Sequence, residues 1–219
     1  MEKLADKYQE AAFEQVVKIG KTFSNLTRIK ILFMLDQGPK SVEELAHLID
    51  MSVANTSKNL QILKQVNLVK EEKHKNYVIY HLTSSKVNEV LSLLIDLSEE
   101  SLPQLSAIED KLTQETSNLP KLDSKQLKEK MKQEKIYLLD LRPEDEFKNE
   151  HIPAAHNIAY QVIDDHLPEL PKDQDIVVYC RGRLCGIANV VGEKLQNLGY
   201  KVYTYNHTVS EWKKEMETK

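Results

Sequence analysis

The 219-residue chain has few of the residues that would mark a specialised class of protein. It has two cysteines, six glycines, seven prolines and one tryptophan, and aromatic residues make up 6% of it. It contains no internal repeats or low-complexity tracts. The rest of the composition, with 41% hydrophobic and 29% charged residues, is typical of an ordinary soluble protein of one large or two small domains.

Long apolar runs are also missing. No run approaches the roughly 20 residues that span a bilayer, and the N-terminus, MEKLADKYQEAAFEQ, has no secretory apolar region. We therefore expect a cytoplasmic protein without a membrane partner. Because cytoplasmic thiols stay reduced, the close pair Cys180 and Cys185 is predicted to be catalytic or redox-active rather than a structural disulfide.

An excess of positive charge is absent too, since the net charge is −4. Residues 1–117 carry 14 basic and 17 acidic residues, yet residues 52–75 hold five lysines and two glutamates, a net charge of +3. This directional pattern indicates a nucleic-acid surface. The alternative is an ordinary solvated helix face.

Apolar periodicity predicts four helices in the first part of the chain, over residues 2–19, 27–35, 41–49 and 52–66. Ser41 and Glu44 form the pattern of a capping box, and Ser52 is placed to begin the next helix. Two short helices joined by a tight turn predict a helix-turn-helix. The alternating segments 68–72 and 76–82 predict a hairpin with a basic tip, which makes this domain a winged helix-turn-helix.

A long apolar stripe follows, at residues Val87, Val90, Leu91, Leu94 and Leu97. Pro103 interrupts it, and the spacing resumes through residue 115. We interpret this stripe, with the first helix, as a homodimer interface, because it is longer than a small domain can bury. The alternative is a core helix of the same chain.

The polar stretch 113–123 is predicted to be a linker. After it, helices alternate with strands rich in Val and Ile, which predicts a central parallel sheet. The expected fold is therefore an α+β winged helix-turn-helix domain over residues 1–117, followed by an α/β domain over residues 118–219.

The second helix of a helix-turn-helix enters the DNA major groove. Val53, Leu60 and Leu63 are predicted to face the core, with Thr56 at its edge. The residues predicted to contact double-stranded DNA are Asn55, Ser57, Lys58, Asn59 and Gln61 on this helix, and Lys73 and Lys75 on the wing. A dimer would then read a palindromic operator.

The segment KTFSNLTRIKILFMLDQGPKSVEELAHLIDMSVANTSKNLQILKQVNLVK resembles the ArsR family of dimeric winged-helix repressors, over roughly residues 18–82. Many members sense metals, but the helix EELAHLI lacks the family's cysteines. On the predicted dimer helix, Asp96, Glu99 and Glu100 lie near the family's other site without a histidine. We expect no metal and no cofactor, and a signal that enters elsewhere.

Cys180 ends a predicted strand, and a helix begins near Gly186. Loop amides and the helix N-terminus should lower the pKa of Cys180 from about 8.5 toward neutrality. Arg181 and Arg183 could hold an anionic substrate. The alternative is a buried, inert cysteine.

The segments LLDLRPEDEFKNEHIPAAHNI, VVYC and VSEW resemble the rhodanese domain, over residues 121–219. The resemblance implies that Cys180 carries a persulfide taken from a small donor such as thiosulfate or a persulfide. It makes Gly182, Leu184 and Gly186 part of the substrate loop. The loop CRGRLC departs from the family pattern, because Cys185 replaces its last arginine.

Arg142 and Glu146 are predicted to pair along their helix. Cys185 could attack a persulfide on Cys180, as in a redox sensor, or could be a small packing residue. We expect a DNA-binding regulator, which the ArsR resemblance implies is a repressor, whose rhodanese domain tunes DNA binding through sulfane sulfur or oxidants. The alternatives are a sulfurtransferase that uses the winged helix for dimerisation or localisation, and a repressor whose rhodanese fold only binds a ligand.

Overall fold

The computed structural model describes residues 2–74, 77–116, 118–133 and 136–217. The chain forms two compact units, Met1–Leu93 and Leu94–Lys219. The predicted domains, 1–117 and 118–219, stay a prediction. Lys75, one of the predicted DNA contacts, lies outside the described residues. Across the described ranges, no helix has both the length and the apolar content needed to cross a membrane.

The first unit is a winged helix-turn-helix, as predicted. Its three strands form an antiparallel sheet in the order β1-β3-β2, with Val69 of β2 opposite Leu82 of β3. Its elements are α1 (Glu2–Phe23), α2 (Leu26–Asp36), β1 (Lys40–Ser41), α3 (Val42–Leu48), α4 (Val53–Gln65), β2 (Val69–His74), β3 (Tyr77–Leu82) and the first half of α5 (Ser85–Ser101).

Local side chains define where α3 and α4 begin. The Ser41 hydroxyl accepts from the Glu44 amide, and the Glu44 carboxylate accepts from the Ser41 amide at 2.6 Å, so the predicted capping box is present. Leu60 and Leu63 are fully buried, as predicted. Val53 was predicted to face the core, but it is 46% exposed. The residue of the first helical turn that faces inward is Thr56, which is fully buried.

The apolar stripe of α5 divides between two environments. Val87 and Leu91 are buried within the chain, whereas Val90 and Leu97 are 38% and 58% exposed. Helix α1 also exposes large apolar side chains along its length, namely Leu4, Tyr8, Phe13, Val16 and Val17. The core alternative is therefore correct for the inner part of the stripe, and the outer part remains available to a partner.

The second unit contains a four-stranded parallel sheet in the order β5-β4-β6-β7, as the alternating pattern predicted. After the second half of α5, its elements are α6 (Pro103–Glu115), α7 (Ser124–Gln133), β4 (Ile136–Asp140), α8 (Glu144–Asn149), β5 (His156–Asn157), α9 (Ile163–His166), β6 (Asp175–Tyr179), α10 (Ile187–Asn197), β7 (Val202–Tyr205) and α11 (Val209–Glu217). Short 3-10 turns at Tyr160–Val162 and Leu167–Glu169 flank α9.

Both faces of this sheet are buried, because neighbouring residues in a strand point to opposite sides. Leu139 and Val178 face a core that includes Val191 and Leu195 of α10. Leu138 and Val177 face the opposite core, which includes Leu127 of α7 and Trp212 of α11. Because helices cover both faces, the strands read as continuous apolar runs in the sequence.

The segment 119–122, which we call the edge segment, belongs to this unit although it was predicted as linker. Leu119 and Leu122 are buried, the Leu122 amide donates to the Thr204 carbonyl at 2.8 Å, and the Thr204 amide donates to the Pro120 carbonyl at 3.0 Å. A side chain at Gly192 would place its Cβ 2.5 Å from Leu119, so glycine is needed there for this packing. Because polar residues surround these two leucines in the sequence, the segment was predicted as part of the linker rather than of the core.

Candidate functional site

The two cysteines lie in the loop between β6 and α10, at the carboxyl edge of the parallel sheet, where open α/β sheets bind ligands. Cys180 directly follows the buried strand β6 and is 2% exposed. Cys185 lies two residues before α10 and is half-buried. Both are free thiols, and their sulfur atoms are 3.4 Å apart. Two thiols at this distance share a hydrogen bond and can join as a disulfide with a small movement.

The electrostatic environment favours the thiolate at Cys185. The hydrogen bond with Cys180 lowers the pKa of Cys185 to about 6, and the backbone amides of Ile187 and Arg181 lower it further, against the effect of burial. The same hydrogen bond, together with burial and the neighbouring sulfur charge, raises the pKa of Cys180 above its ordinary value. The Cys180 thiol was predicted to have a lowered pKa, but its hydrogen bond with Cys185 and its burial act in the opposite direction and outweigh the Arg181 charge and amide.

The remaining loop residues shape the turn between the sulfurs. Gly182 has a φ of +96°, and a Cβ there would lie 2.7 Å from the Thr208 methyl group, so this position requires glycine. Leu184 is 47% exposed, and Gly186 caps α10. The predicted substrate loop is thus one compact turn, although its role in binding a substrate stays a prediction.

Arg181 is engaged with a carboxylate rather than open to a substrate. Its guanidinium donates to Glu146 of α8 through two nitrogens, at 2.9 and 2.8 Å. Glu146 is 1% exposed, and the Arg181 side chain is 12% exposed. The pair ties the loop to α8, and the positive charge of Arg181 still helps to lower the pKa of Cys185.

Arg142 and Glu146 were predicted to pair along one helix, but Arg142 precedes α8, which begins at Glu144. Arg142 donates to Asp140 at 2.6 Å and to the Glu150 carbonyl at 2.8 Å. The Arg142 and Asp140 side chains are almost fully buried. Arg142 therefore holds the turn after β4, and Glu146 positions the cysteine loop through Arg181.

The Arg183 guanidinium contacts three carboxylates. It lies 2.5 Å from Asp96 and 2.9 Å from Glu99, both on α5, and 2.8 Å from Glu211 on α11. Burial alone lowers the pKa of Arg183, but its hydrogen bond to Asp96 and the other two charges raise it overall. All three carboxylates belong to the second unit. The cysteine loop is thus attached to α5 through one side chain.

Sequence reasoning missed the acidic residues that hold the loop, which are Glu146, Asp96, Glu99 and Glu211. They are 28 to 87 residues away from their arginines in the chain. No local pattern links residues at such distances, so only the folded arrangement could identify them.

The predicted DNA surface lies on α4 and the wing of the first unit. Lys58, Gln61 and Lys73 are exposed, and Asn55 and Ser57 are half-exposed. These five residues could meet a DNA duplex from one side of the helix-turn-helix. Their contacts with DNA stay a prediction.

Asn59 does not belong to that surface. It is 7% exposed, its amide donates to the Asn55 carbonyl at 3.0 Å, and its oxygen accepts from Arg28 at 3.5 Å. Arg28 also donates to the carbonyls of Lys21 and Thr22 at the end of α1. Asn59 was predicted as a flanking DNA contact, but it connects α4 to the junction of α1 and α2.

A protein metal site needs several ligand side chains grouped around one point. Within the four described ranges, no three His, Cys, Asp or Glu side chains are grouped so that they could hold an ion. The absence of a metal cofactor stays a prediction.

In a comparison with known proteins, each of the two units matches a different family. Residues 25–71 match the bacterial regulatory protein, arsR family, and residues 123–215 match the rhodanese-like domain. An HTH-type transcriptional regulator of Mycobacterium tuberculosis is 30% identical over 204 residues, which cover 93% of this chain and 89% of that protein.

Two further relatives each cover one part of the chain. A sulfurtransferase of Allochromatium vinosum is 34% identical over 61 residues, 27% of this chain and 57% of that protein. The homodimeric winged helix-turn-helix DNA-binding domain from Mycobacterium bovis is 31% identical, covers 43% of this chain and 87% of that chain, and superimposes with a TM-score of 0.41.

These findings define a transcriptional regulator with a DNA-binding helix-turn-helix. More particularly, the chain belongs to the ArsR family and carries a rhodanese-like domain behind its winged helix.

Proposed function

We propose that this regulator senses sulfane sulfur or thiol oxidants through Cys180 and Cys185, and that their modification changes its affinity for DNA. The observation that carries the proposal is the 3.4 Å distance between the two sulfurs in the loop after β6. Two free cysteines in contact, in a chain that has no others, form a site that can switch between a dithiol and a bridged state.

The sulfur chemistry balances without a metal or cofactor. One thiolate attacks the outer sulfur of a polysulfide, and a polysulfide shorter by one sulfur leaves as an anion. The second thiol then attacks the inner sulfur of the new persulfide, gives up its proton, and hydrosulfide leaves. The two cysteines lose two electrons to the sulfane sulfur and end as a disulfide.

Arg183 supports a link between this loop and the DNA-binding unit. It joins the loop to Asp96 and Glu99, and these lie on α5, whose single helix continues back to Ser85 in the first unit. Bridging the cysteines brings their sulfurs closer together and shifts the four residues between them, which include Arg183. We propose that this rearrangement alters the Arg183 contacts and thereby the position of α5.

The DNA-bound form is proposed to be a homodimer on a palindromic operator, in the cytoplasm. The exposed apolar residues of α1 and the outer part of α5 support a dimer, as does the homodimeric state of the M. bovis domain. A dimer presents two copies of α4 to successive turns of the major groove.

The test compares operator affinity in different sulfur states. DNA selected from a random-sequence pool by the reduced full-length protein is titrated with that protein before and after treatment with inorganic polysulfide. We expect the affinity of the wild type to change by at least tenfold, and those of Cys180→Ser and Cys185→Ser to change less than twofold. Equal affinity of the wild type in both states would end the proposal.

The proposed link has its own test in the same assay. Arg183→Gln removes the charge that holds Asp96 and Glu99, so this variant should still take up sulfur but lose most of the change in DNA affinity. Lys213→Gln, which alters an ion pair of α11 with Glu150, is the matched control and should respond like the wild type. A full response from Arg183→Gln would exclude the α5 route.

A second candidate, a sulfurtransferase enzyme, is favoured by the match to the A. vinosum sulfurtransferase. It predicts steady turnover of thiosulfate with cyanide and no sequence-selective DNA binding. The pairing of Arg181 with Glu146 weighs against it, because a guanidinium held by a buried carboxylate is a poor binder of a second anion.

A further inference from the structure

We infer that Asn55 contacts its operator base as a hydrogen-bond donor, and that the buried Asn59 is the positioning residue that imposes this choice. Guanine, rather than adenine, is then the base that Asn55 selects in the major groove. This assignment rests on the DNA binding of the proposed function and is independent of its sulfur chemistry. The deciding contacts are hydrogen bonds that run from Arg28 through Asn59 to Asn55.

The side-chain amide of Asn59 lies between a group that only accepts and a group that only donates. Its Nδ2 donates to the Asn55 main-chain carbonyl at 3.0 Å. Its Oδ1 accepts from Nη1 of Arg28 at 3.5 Å, and a guanidinium has no acceptor. A reversed amide would place oxygen against oxygen and nitrogen against nitrogen. The partners of Asn59 therefore determine which way its amide points.

Arg28 is itself held in place at the end of α1. Its Nε and Nη2 donate to the carbonyls of Thr22 and Lys21 at 2.6 and 3.0 Å. These two contacts leave Nη1 directed at α4. Because Asn59 is only 7% exposed, its amide depends on protein partners rather than on water.

Asn59 in turn orients the side chain of Asn55, which lies one helical turn earlier on α4. Nδ2 of Asn59 also donates to Oδ1 of Asn55 at 3.0 Å. Since an amino group of this kind can only donate, the atom of Asn55 that faces it is the oxygen. The amino group of Asn55 then lies at the other end of the side chain, and it has no hydrogen-bond partner among the residues that the structure describes. Asn55 is half-exposed in the first turn of α4, the part of a recognition helix that meets base edges.

The major-groove edges of the bases decide which base suits a donor. Guanine presents two neighbouring acceptors, N7 and O6, so the Asn55 amino group can bond to either atom. Adenine presents N7 beside its N6 amino group, and asparagine recognises it by donating to N7 while accepting from N6. The second half of that pair needs Oδ1 of Asn55, which already accepts from Asn59. The geometry thus favours G·C over A·T at the base pair that Asn55 contacts.

The operator position is first located with Asn55→Ala. A duplex selected from a random-sequence pool by the reduced full-length wild type is changed one base pair at a time, and affinities are measured by fluorescence anisotropy. Asn55 contacts the position at which the wild type discriminates between base pairs and Asn55→Ala does not. There the wild type should bind G·C about fivefold more tightly than A·T, the effect of about one hydrogen bond. A preference for A·T, or the lack of any such position, would overturn the inference.

Asn59→Ala tests the positioning role. This change releases Oδ1 of Asn55, which can then pair with N6 of adenine while its amino group donates to N7. The preference at the same position should therefore change from G·C to A·T. A purely structural role would lower the affinity for all duplexes equally, so the order of the two base pairs is the readout. Retention of G·C by an Asn59→Ala protein with a wild-type circular dichroism spectrum would show that Asn59 does not impose the choice.

Asn55→Asp gives an independent test at a half-exposed position, which decides the matter even if Asn59→Ala fails to fold. Aspartate has the same shape, one of its oxygens still accepts from Asn59, and its outer atom becomes an acceptor. The preference should move to A·T, because the N6 amino group of adenine can donate to that atom. Asn197→Asp, at an exposed residue of α10, adds the same charge outside the DNA-binding unit and should keep the preference for G·C. An unchanged preference in Asn55→Asp would exclude a donor contact by Asn55.

Failure of this inference and failure of the proposed function give different results. If the base preferences contradict a donor contact while polysulfide still changes operator affinity, only the role of Asn55 and Asn59 is wrong. If the wild type selects no sequence from the pool, the proposed function and this inference fail together.

Discussion

Glu146 illustrates how one buried residue can support a reactive loop without touching its sulfurs. Its carboxylate is 1% exposed and receives both guanidinium contacts of Arg181, the residue next to Cys180. A buried charge that loses its partner is costly, because it keeps its desolvation penalty without compensation. The pair is therefore expected to contribute to stability and to the position of the loop together.

Replacing Glu146 by Gln should destabilise the second unit by about 3 kcal/mol, because Arg181 loses its counter-charge in a nearly buried site. Urea unfolding can be followed through Trp212, the only tryptophan of the chain, which is buried in the second unit. The control is Glu144→Gln, which alters an exposed pair with Lys148 on the same helix and should cost less than about 0.5 kcal/mol. Equal effects of the two substitutions on the free energy of unfolding would show that the Arg181–Glu146 pair contributes no more to stability than the exposed Glu144–Lys148 pair.

At the scale of the element, α4 carries the predicted DNA contacts on a face defined by its buried residues. Thr56, Leu60 and Leu63 fix which side of the helix faces the core, so Lys58 and Gln61 are presented to solvent. A lysine there can contact a phosphate, and a glutamine can read a base edge.

Lys58→Ala should weaken binding to all sequences and reduce the slope of log affinity against log salt by about 1, because one phosphate contact is lost. Gln61→Ala should instead relax sequence selectivity at one position of the operator. Both effects are measured by fluorescence anisotropy over a range of salt. Lys125→Ala, an exposed lysine on α7, is the control, and an equal salt effect from it would contradict the assignment.

The sequence predicts correctly those features that depend on residues close to one another in the chain. The capping box at Ser41 and the alternation of strand and helix after residue 123 depend on neighbours, and both are present in the structure. Asn59 was predicted wrongly as a DNA contact, because its side chain is buried against a partner, Arg28, that lies 31 residues away in the sequence. The raised pKa of Cys180 depends on its hydrogen bond with Cys185 and on its burial, and the spacing of the two cysteines in the sequence shows neither.

At the scale of the whole molecule, the exposed apolar residues of α1 and α5 are the basis for a proposed dimer. Leu97→Glu should convert the protein to a monomer and lower DNA affinity by at least tenfold, because a charge would be buried at the interface. Sedimentation velocity gives the oligomeric state. Leu198→Glu, at a leucine that is 50% exposed at the end of α10, should remain dimeric. A dimeric Leu97→Glu protein would place the interface elsewhere.

The edge segment determines where a stable fragment of this protein can start. Strand β7 is the outer strand of its sheet, and the edge segment supplies hydrogen bonds to its open side through Pro120 and Leu122. A fragment cut at residue 123, where the match to the rhodanese-like domain begins, would leave that backbone free to recruit another chain. Expression of the C-terminal half alone should therefore begin upstream of Leu119 to avoid aggregation.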